Sequence, residues 1–170
     1  MTEEFTYDDV SSYTLDADNE AALVAAQNEC TFMWSNKEGW PVGVIMAYVF
    51  HDGFFWLSVT SNRVRVKAVE RDPRVSISIT SKGSGIPSLR AVTYKGTCEV
   101  LSDQTTIDWF LPALGKRVMP DNADAQEQFY QLNNTPNRRV LKVTPVQSIG
   151  FDGDKMAAAT EAAADAKAVI

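Results

Sequence analysis

The sequence predicts a mainly β domain of the α+β class, in which antiparallel strands form a barrel or a sandwich and short helices fill the gaps. Segments rich in Val, Ile, Tyr and Phe follow one another through short turns. Arg74 to Thr80 alternates apolar residues with serines, which is typical of a half-buried strand. His51-Asp52-Gly53 contains the Asp-Gly signal of a tight hairpin. With 170 residues, 45% of them hydrophobic, the chain is long enough for about one domain.

The first segment, residues 1–15, mixes polar and aromatic residues without a visible period. We expect it to be a poorly ordered arm that packs on a partner subunit. Asp16 to Asn28 is predicted to be a helix, because Asp16 or Asp18 can cap it and an Ala-rich apolar run follows.

The pattern then predicts six strands, of which the first three form a meander joined by tight turns. Pro145 is expected to kink the last strand. The predicted strands are Cys30 to Ser35, Pro41 to Phe50, Phe54 to Thr60, Arg74 to Thr80, Leu89 to Leu101 and Arg138 to Phe151.

Helices are predicted between and after these strands. Ser61 to Asp72 is a short helix ended by Pro73. Ser102 to Leu132 is helical in two pieces, with Asp103 as a cap and Pro120 near the break. Met156 to Ile170 is Ala-rich without an apolar stripe, and either a frayed helix or a disordered tail fits it. We therefore divide the chain into an arm (1–15), a domain (16–155) and a tail (156–170).

Composition and charge exclude several classes of protein. The net charge is −6 and the pI about 4.8, whereas nucleic-acid binders present basic surfaces. The apolar run Gly39 to Phe50 is far shorter than the roughly 20 residues that a membrane span needs. The acidic N-terminus has no features of a signal peptide. We expect a cytoplasmic protein that binds neither nucleic acid nor a membrane.

The sequence offers few candidate residues for a metal site or for nucleophilic catalysis. Cys30 and Cys98 are far apart, and His51 is the sole histidine. Zinc sites need about four such ligands, or three and a water, so we predict no metal site. Catalysis of the Ser-His-Asp kind would have to use His51, which we place in a solvated hairpin turn.

A local excess of cations is the first indication of function. Five of the 16 cationic residues, Arg63, Arg65, Lys67, Arg71 and Arg74, fall within 12 positions of an acidic chain. They follow a strand end rich in hydroxyls, at the predicted start of a helix. Helix N-termini offer free N–H groups, and hydroxyls and cations add donors and charge. The pattern favours an anion site suited to phosphate; the alternative is a capped helix with a solvated basic face.

Four segments in order carry a resemblance to a known family: Gly39 to Val44, Asp52 to Ser58, Arg71-Asp72-Pro73-Arg74-Val75-Ser76-Ile77, and Val92 to Val100. The chain from the first helix to about Phe151 resembles the pyridoxamine 5′-phosphate oxidase-like split barrels, which are flavin- and deazaflavin-binding oxidoreductases. The resemblance implies an antiparallel split β-barrel with a few short helices. It also implies a homodimer with the cofactor site between the subunits.

The resemblance assigns roles to particular residues. It implies that the cofactor phosphate is held by Ser58, Thr60, Ser61, Arg63, Arg65 and Lys67. The ring system would lie along Pro41, Val42, Gly43 and Val44, and Lys95 would line the partner's side. Many family members carry Ser-Arg-Lys directly after the strand, whereas the cations here are spread. The register of the phosphate contacts is therefore open by a residue or two.

The resemblance also bears on mechanism, since a bound flavin or deazaflavin supplies the hydride chemistry itself. Coenzyme F420 has a phosphodiester and an acidic tail, so it benefits from a longer basic track, to which Lys37 or Lys82 would add. We therefore predict an F420-dependent oxidoreductase acting on a small organic substrate, with no catalytic residue assigned. The alternatives are an FMN-binding oxidase or reductase and a non-catalytic flavin or haem carrier.

Overall fold

A computed structural model describes residues 5–168, which contain five helices and six strands. The helices are α1 (Ala17–Ala26), α2 (Val64–Arg71), α3 (Gln104–Val118), α4 (Ala123–Asn133) and α5 (Gly153–Ala168). The strands are β1 (Glu29–Ser35), β2 (Pro41–His51), β3 (Phe54–Thr60), β4 (Arg74–Thr80), β5 (Arg90–Leu101) and β6 (Arg138–Asp152). All six predicted strands are present, and β3 and β4 have the predicted bounds.

The strands close into a barrel in the order β1-β2-β3-β6-β5-β4, and every neighbouring pair is antiparallel. This confirms the barrel and removes the sandwich alternative. The β2–β3 turn has φ values of 51° at Asp52 and 81° at Gly53, as the predicted Asp-Gly hairpin requires.

The barrel interior is filled by the apolar side chains that alternate along each strand. Phe32, Tyr48, Phe55 and Ile77 are among those fully removed from solvent. Burial of each such side chain stabilises the fold by roughly 1.5–3 kcal/mol. The two barrel ends are covered by α1, through Leu23 and Val24, and by α2, through Val66, Ala68 and Val69.

A second apolar cluster lies on the outside of the barrel. Trp56 and Val140 point outward from β3 and β6 and pack against Ile107, Phe110 and Leu111 of α3. The predicted cap of α3 is confirmed, since Asp103 Oδ1 accepts a hydrogen bond from the Thr106 N–H at 2.8 Å. Asp16 stands at the N-cap of α1, but its side chain makes no capping bond and pairs with Lys155 instead.

The barrel is split between β2 and β3. β2 pairs with β1 over Pro41 to Ala47, but with β3 only over Tyr48 to His51. On its other side, β3 pairs with β6 as far as Thr60, which lies opposite Arg138. The two strands therefore separate toward the end of the barrel that α2 covers, called the α2 end below.

The β5–β6 ladder has one irregularity. Gly96 pairs with Pro145 while Lys95 pairs with Gln147, so Val146 is an extra residue on β6. Proline has no N–H to donate to a ladder, which explains why the register shifts here. The shift lies where the sequence predicts a kink.

The terminal segments lie against the barrel's other end. Within residues 5–15, Tyr13 is buried, and its carbonyl accepts a hydrogen bond from the Asp152 N–H at 2.7 Å. Of the two alternatives for the Ala-rich segment, the helix is observed in α5. The first four residues of the arm and the last two of the tail are outside the described residues. Among those described, no helix has the length and apolar character to cross a membrane.

Candidate functional site

The residues predicted to bind phosphate lie at the α2 end. They belong to the last residues of β3, the short connection after it and the first residues of α2. Ser58 and Thr60 face outward from the barrel. Ser58 Oγ accepts a hydrogen bond from Arg138 Nη1 at 2.9 Å, and the Thr60 hydroxyl donates to Asn62 Oδ1 at 2.7 Å. Both hydroxyls therefore already have protein partners, and the partner of Ser58 is the half-buried cation of Arg138.

The cations of α2 divide into two sides. Residues of an α-helix are rotated by about 100° each, so positions four apart share a side and positions two apart do not. Arg63 and Lys67 therefore face one side and are exposed, whereas Arg65 faces the other and is half-buried. Within residues 5–168, neither Arg63 nor Lys67 has a side-chain hydrogen bond or an ion pair. We call Arg63 and Lys67 the free cation pair.

Arg65 has a different environment. Burial, and secondly the charge of Arg63, lower the pKa of the Arg65 guanidinium. Its Nε is buried without a hydrogen-bond acceptor among the described residues. Buried donors in native proteins normally have a partner, so this nitrogen is a position that an anionic ligand would satisfy.

The predicted ring-binding segment begins β2 at the same end. Pro41 and Gly43 face outward, while Val42 and Val44 face the core. A Cβ on Gly43 would lie 3.0 Å from Thr31 Cγ2 and 3.2 Å from Met33 Cγ, so any larger residue here would crowd the side chains of β1. Because the segment pairs with β1 alone among described strands, its second edge offers backbone N–H and C=O groups toward the split.

A cavity of about 600 Å³ lies on the outer face of β1, β4 and β5. It brings together Pro41 and Lys95, two of the predicted residues, with Arg74 and Val146. Lys95 Nζ is 3.4 Å from Gln147 Oε1. Ser58 and Thr60 do not line this cavity, so the predicted residues form two groups at the α2 end and not one pocket.

Arg74 is less available to a ligand than Lys95. Its Nε and Nη2 donate to the two carboxylate oxygens of Asp72 at 2.9 and 2.7 Å. The Arg74 side chain, through these hydrogen bonds, lowers the pKa of Asp72 to about 2. The charge of Arg74 is thus largely matched, and Lys95 is the cation that this cavity offers.

Arg138 is a candidate residue of the functional site that the sequence did not indicate. Besides Ser58, its guanidinium donates to the backbone and side-chain oxygens of Asn133. Burial lowers its pKa, and no carboxylate pairs with it among residues 5–168. It lies on β6, and its place opposite Thr60 follows from the strand order. No local pattern in the sequence gives that register.

The thiols and the histidine lie apart from these groups. Burial raises the pKa of both Cys30 and Cys98 to about 12, so each is a neutral thiol at neutral pH. His51 is exposed in the β2–β3 hairpin, with Nε2 3.3 Å from Asp52 Oδ2. The part of the chain that the structure describes has no group of three or more His, Cys, Asp or Glu residues able to hold a metal.

A comparison with protein families decides the relationship. The family model described as pyridoxamine 5′-phosphate oxidase matches residues 17–151. The chain belongs to this family. The match begins with the first residue of α1 and ends one residue before the end of β6, so it includes nearly all of the barrel and both groups of predicted residues. A search of curated proteins found no match.

Solved structures share the fold at low identity. A conserved hypothetical protein from Mycobacterium tuberculosis superimposes with a TM-score of 0.73 at 20% identity, covering 85% of this chain and 89% of its own. The haem-storage protein HutZ from Vibrio cholerae gives 0.63 at 10% identity, over 81% and 94%. A protein described as an F420 reductase gives 0.55 at 16% identity, over 75% and 93%. These likenesses establish the split-barrel fold.

Proposed function

We propose that this protein is an oxidoreductase that uses coenzyme F420 to transfer a hydride to or from a small organic substrate. The observation that carries the proposal is the free cation pair of Arg63 and Lys67, at the same end of the barrel as the split edge of β2. The cofactor supplies the hydride chemistry when bound, so the chain needs to supply an anchor, a flat apolar wall and hydrogen bonds.

The residues present suit such a cofactor. Two exposed cations without partners at the start of a helix are suited to a phosphate group; the buried Nε of Arg65, on the opposite side of α2, is an alternative donor for it. The outer surface at Gly43 has no side chain, and the neighbouring backbone edge faces the split. Ser58, Thr60 and Ser61 lie at the strand end between these features, so we retain them in the proposed phosphate site.

The position of further cations favours F420 over FMN. FMN carries one phosphate, whereas F420 adds an acidic tail that needs more positive charge. Lys37 lies in the β1–β2 turn at the α2 end, the end of the barrel that also holds Arg63 and Lys67. Lys82 follows β4 at the opposite end of the barrel and cannot continue that track.

A second copy of the chain completes the proposed site. Ile45, Val146 and Ile149 are 63%, 75% and 59% exposed on the outer barrel face that also holds Lys95. Apolar surface of this kind is typical of a subunit interface. We propose a homodimer in which Lys95 reaches the cofactor bound mainly by the partner.

The test is an absorption spectrum of the purified protein, followed by titrations with F420 and with FMN. We expect F420 to bind more tightly than FMN. The double variant Arg63→Ala, Lys67→Ala should weaken binding by about 10- to 150-fold per charged hydrogen bond lost, which corresponds to roughly 1.5–3 kcal/mol each. Lys116→Ala removes an exposed cation from α3 and is the control, with no expected change.

Other outcomes of the same titrations would overturn parts of the proposal. A copurified yellow flavin, or tighter binding of FMN, would replace F420 by FMN at the same site. Unchanged affinity in the double variant would refute the phosphate site. Tight binding with no turnover of any hydride acceptor would indicate a carrier. Arg65→Ala, compared with Lys67→Ala, determines which side of α2 the phosphate contacts.

A further inference from the structure

A second cavity, of about 720 Å³, lies at the end of the barrel that α1 covers. Tyr94 and Pro145 line it from inside the barrel, while the adjacent Lys95 and Val146 line the 600 Å³ cavity on the outer face. The backbone of the β5–β6 ladder therefore separates the two cavities. Hydride transfer needs direct contact, so a molecule in the α1-end cavity is not the hydride acceptor.

The carboxylate of Glu20 is the acidic group that lines this cavity. Its Oε1 accepts a hydrogen bond from the Tyr94 hydroxyl at 2.8 Å, and its Oε2 accepts one from Ser148 Oγ at 3.2 Å. Burial, and secondly the hydrogen bond to Glu20, raise the pKa of Tyr94, so Tyr94 remains a donor. Among residues 5–168 no cation pairs with Glu20.

Arg117 also lines the cavity, and its Nε is buried without a hydrogen-bond acceptor among the described residues. Its Nη2 donates to the carbonyls of Val24, Ala25 and Gln27, where α1 ends. A cation at a helix C-terminus meets the negative end of the helix dipole. Val24 and Gln27 lie four and seven residues after Glu20, which is roughly 6–10 Å along the helix axis. Arg117 therefore does not neutralise Glu20 by contact.

The remaining wall is apolar and partly aromatic. Leu15, Val24 and Pro145 surround the cavity, and the ring of Phe50 is 44% exposed beside it. Small-molecule sites are usually 300–1,000 Å³ in volume and mostly apolar, with a few fixed polar groups. An organic cation is attracted both by the face of an aromatic ring and by the negative charge of a carboxylate.

We propose that the α1-end cavity is a second ligand site, which binds an organic ammonium ion carried on an aromatic or aliphatic body. The ammonium donates to Glu20, and the apolar body lies against Phe50, Leu15 and Val24. The site is independent of the cofactor site and does not require the proposed oxidoreductase activity.

The test is calorimetric titration of the full chain, without cofactor, using tryptamine as the probe. Indole-3-propionate, which has a similar body and the opposite charge, is the matched ligand. We expect tryptamine to bind at least tenfold more tightly than indole-3-propionate. Glu20→Gln keeps the size of the side chain and removes its charge, and it should weaken tryptamine binding at least tenfold. Asp18→Asn removes an exposed acid from the same helix and should leave the affinity unchanged.

Three results would overturn the proposal: no tryptamine binding at millimolar concentration, equal binding of the two probes, or equal tryptamine affinity in wild type and Glu20→Gln. The melting temperature of Glu20→Gln checks that the variant is folded. A Phe50→Ala variant gives a second measure, because loss of the ring should also weaken tryptamine binding. Since no cofactor is present, these results are separate from those of the F420 titration.

Discussion

Individual residues at the α2 end show how a neighbour determines whether a charge is available. Arg63 and Arg74 are both exposed arginines, but Arg74 is bound by Asp72 through two parallel hydrogen bonds. Arg63 has no such acceptor among the described residues. Both belong to the same cation-rich stretch of sequence, so composition alone does not separate them. The difference comes from Asp72, whose carboxylate lies two residues before Arg74 and binds it.

The Asp72–Arg74 pair has a measurable signature. With a pKa of about 2 in the folded protein against an ordinary 3.8, Asp72 contributes stability above about pH 4 that is lost as the pH falls toward 2. We expect Arg74→Gln to raise the pKa of Asp72 toward 3.8 and Arg71→Gln to raise it much less. An NMR titration of the Asp72 carboxyl carbon measures both. A wild-type pKa near 4 would contradict the pair.

Two buried glycines should respond in opposite ways to alanine. A Cβ on Gly96 would collide with the backbone carbonyl of Thr144 at the β5–β6 irregularity. Gly96→Ala should lower the free energy of unfolding by about 1–3 kcal/mol, since backbone must move. A Cβ on Gly115 in α3 meets Phe129 Cδ1 at an ordinary 3.5 Å. Gly115→Ala should therefore stabilise by about 0.5–1 kcal/mol through helix propensity. Urea unfolding of both variants checks the signs.

At the scale of elements, the N-termini of α1 and α3 differ although both have aspartate at the N-cap. Asp103 caps α3, and its hydrogen bonds with Thr106 lower its pKa. Asp16 makes no such bond at α1. We expect Asp103→Ala to lower the free energy of unfolding by about 1 kcal/mol at pH 7, and Asp16→Ala, which loses an exposed ion pair, by less.

The direction of the pKa shift of Asp103 determines how the stabilisation by this cap depends on pH. Because the folded pKa of Asp103 lies below its ordinary value, the cap contributes fully above that value and less as the pH falls through the folded pKa. The difference between wild type and Asp103→Ala in urea unfolding should therefore shrink in acid. An unchanged difference at low pH would show that the carboxylate is not the capping group.

At the scale of the whole molecule, the outer barrel face predicts association. A glutamate at position 149 would place a charge in the proposed interface, so Ile149→Glu should convert the dimer to a monomer. Leu132 is 77% exposed on α4, away from that face, and Leu132→Glu is the matched control. Light scattering after size-exclusion chromatography gives the mass. A monomeric wild type would refute the proposed homodimer.

Local patterns in the chain predict the helices, the strands and the cation-rich stretch from Arg63 to Arg74. Period-two alternation, the Asp-Gly turn and the prolines fixed β3, β4 and the end of α2 to within a residue or so, because these signals act between neighbours in the chain. The cations of α2 and the hydroxyls before them are likewise local. The family resemblance, carried by short motifs in a fixed order, rests on the same kind of information.

Which distant residues meet depends on the closed barrel. Arg138 reaches Ser58 across 80 positions, and Tyr94 reaches Glu20 across 74. Neither contact has a local pattern, because strand order and register arise from closing the barrel and from the extra residue at Val146. Helix rotation likewise separated Arg65 from Arg63 and Lys67, which the linear spacing had placed together. The cation-rich stretch was therefore visible in the sequence, whereas the α1-end cavity forms only in the closed barrel.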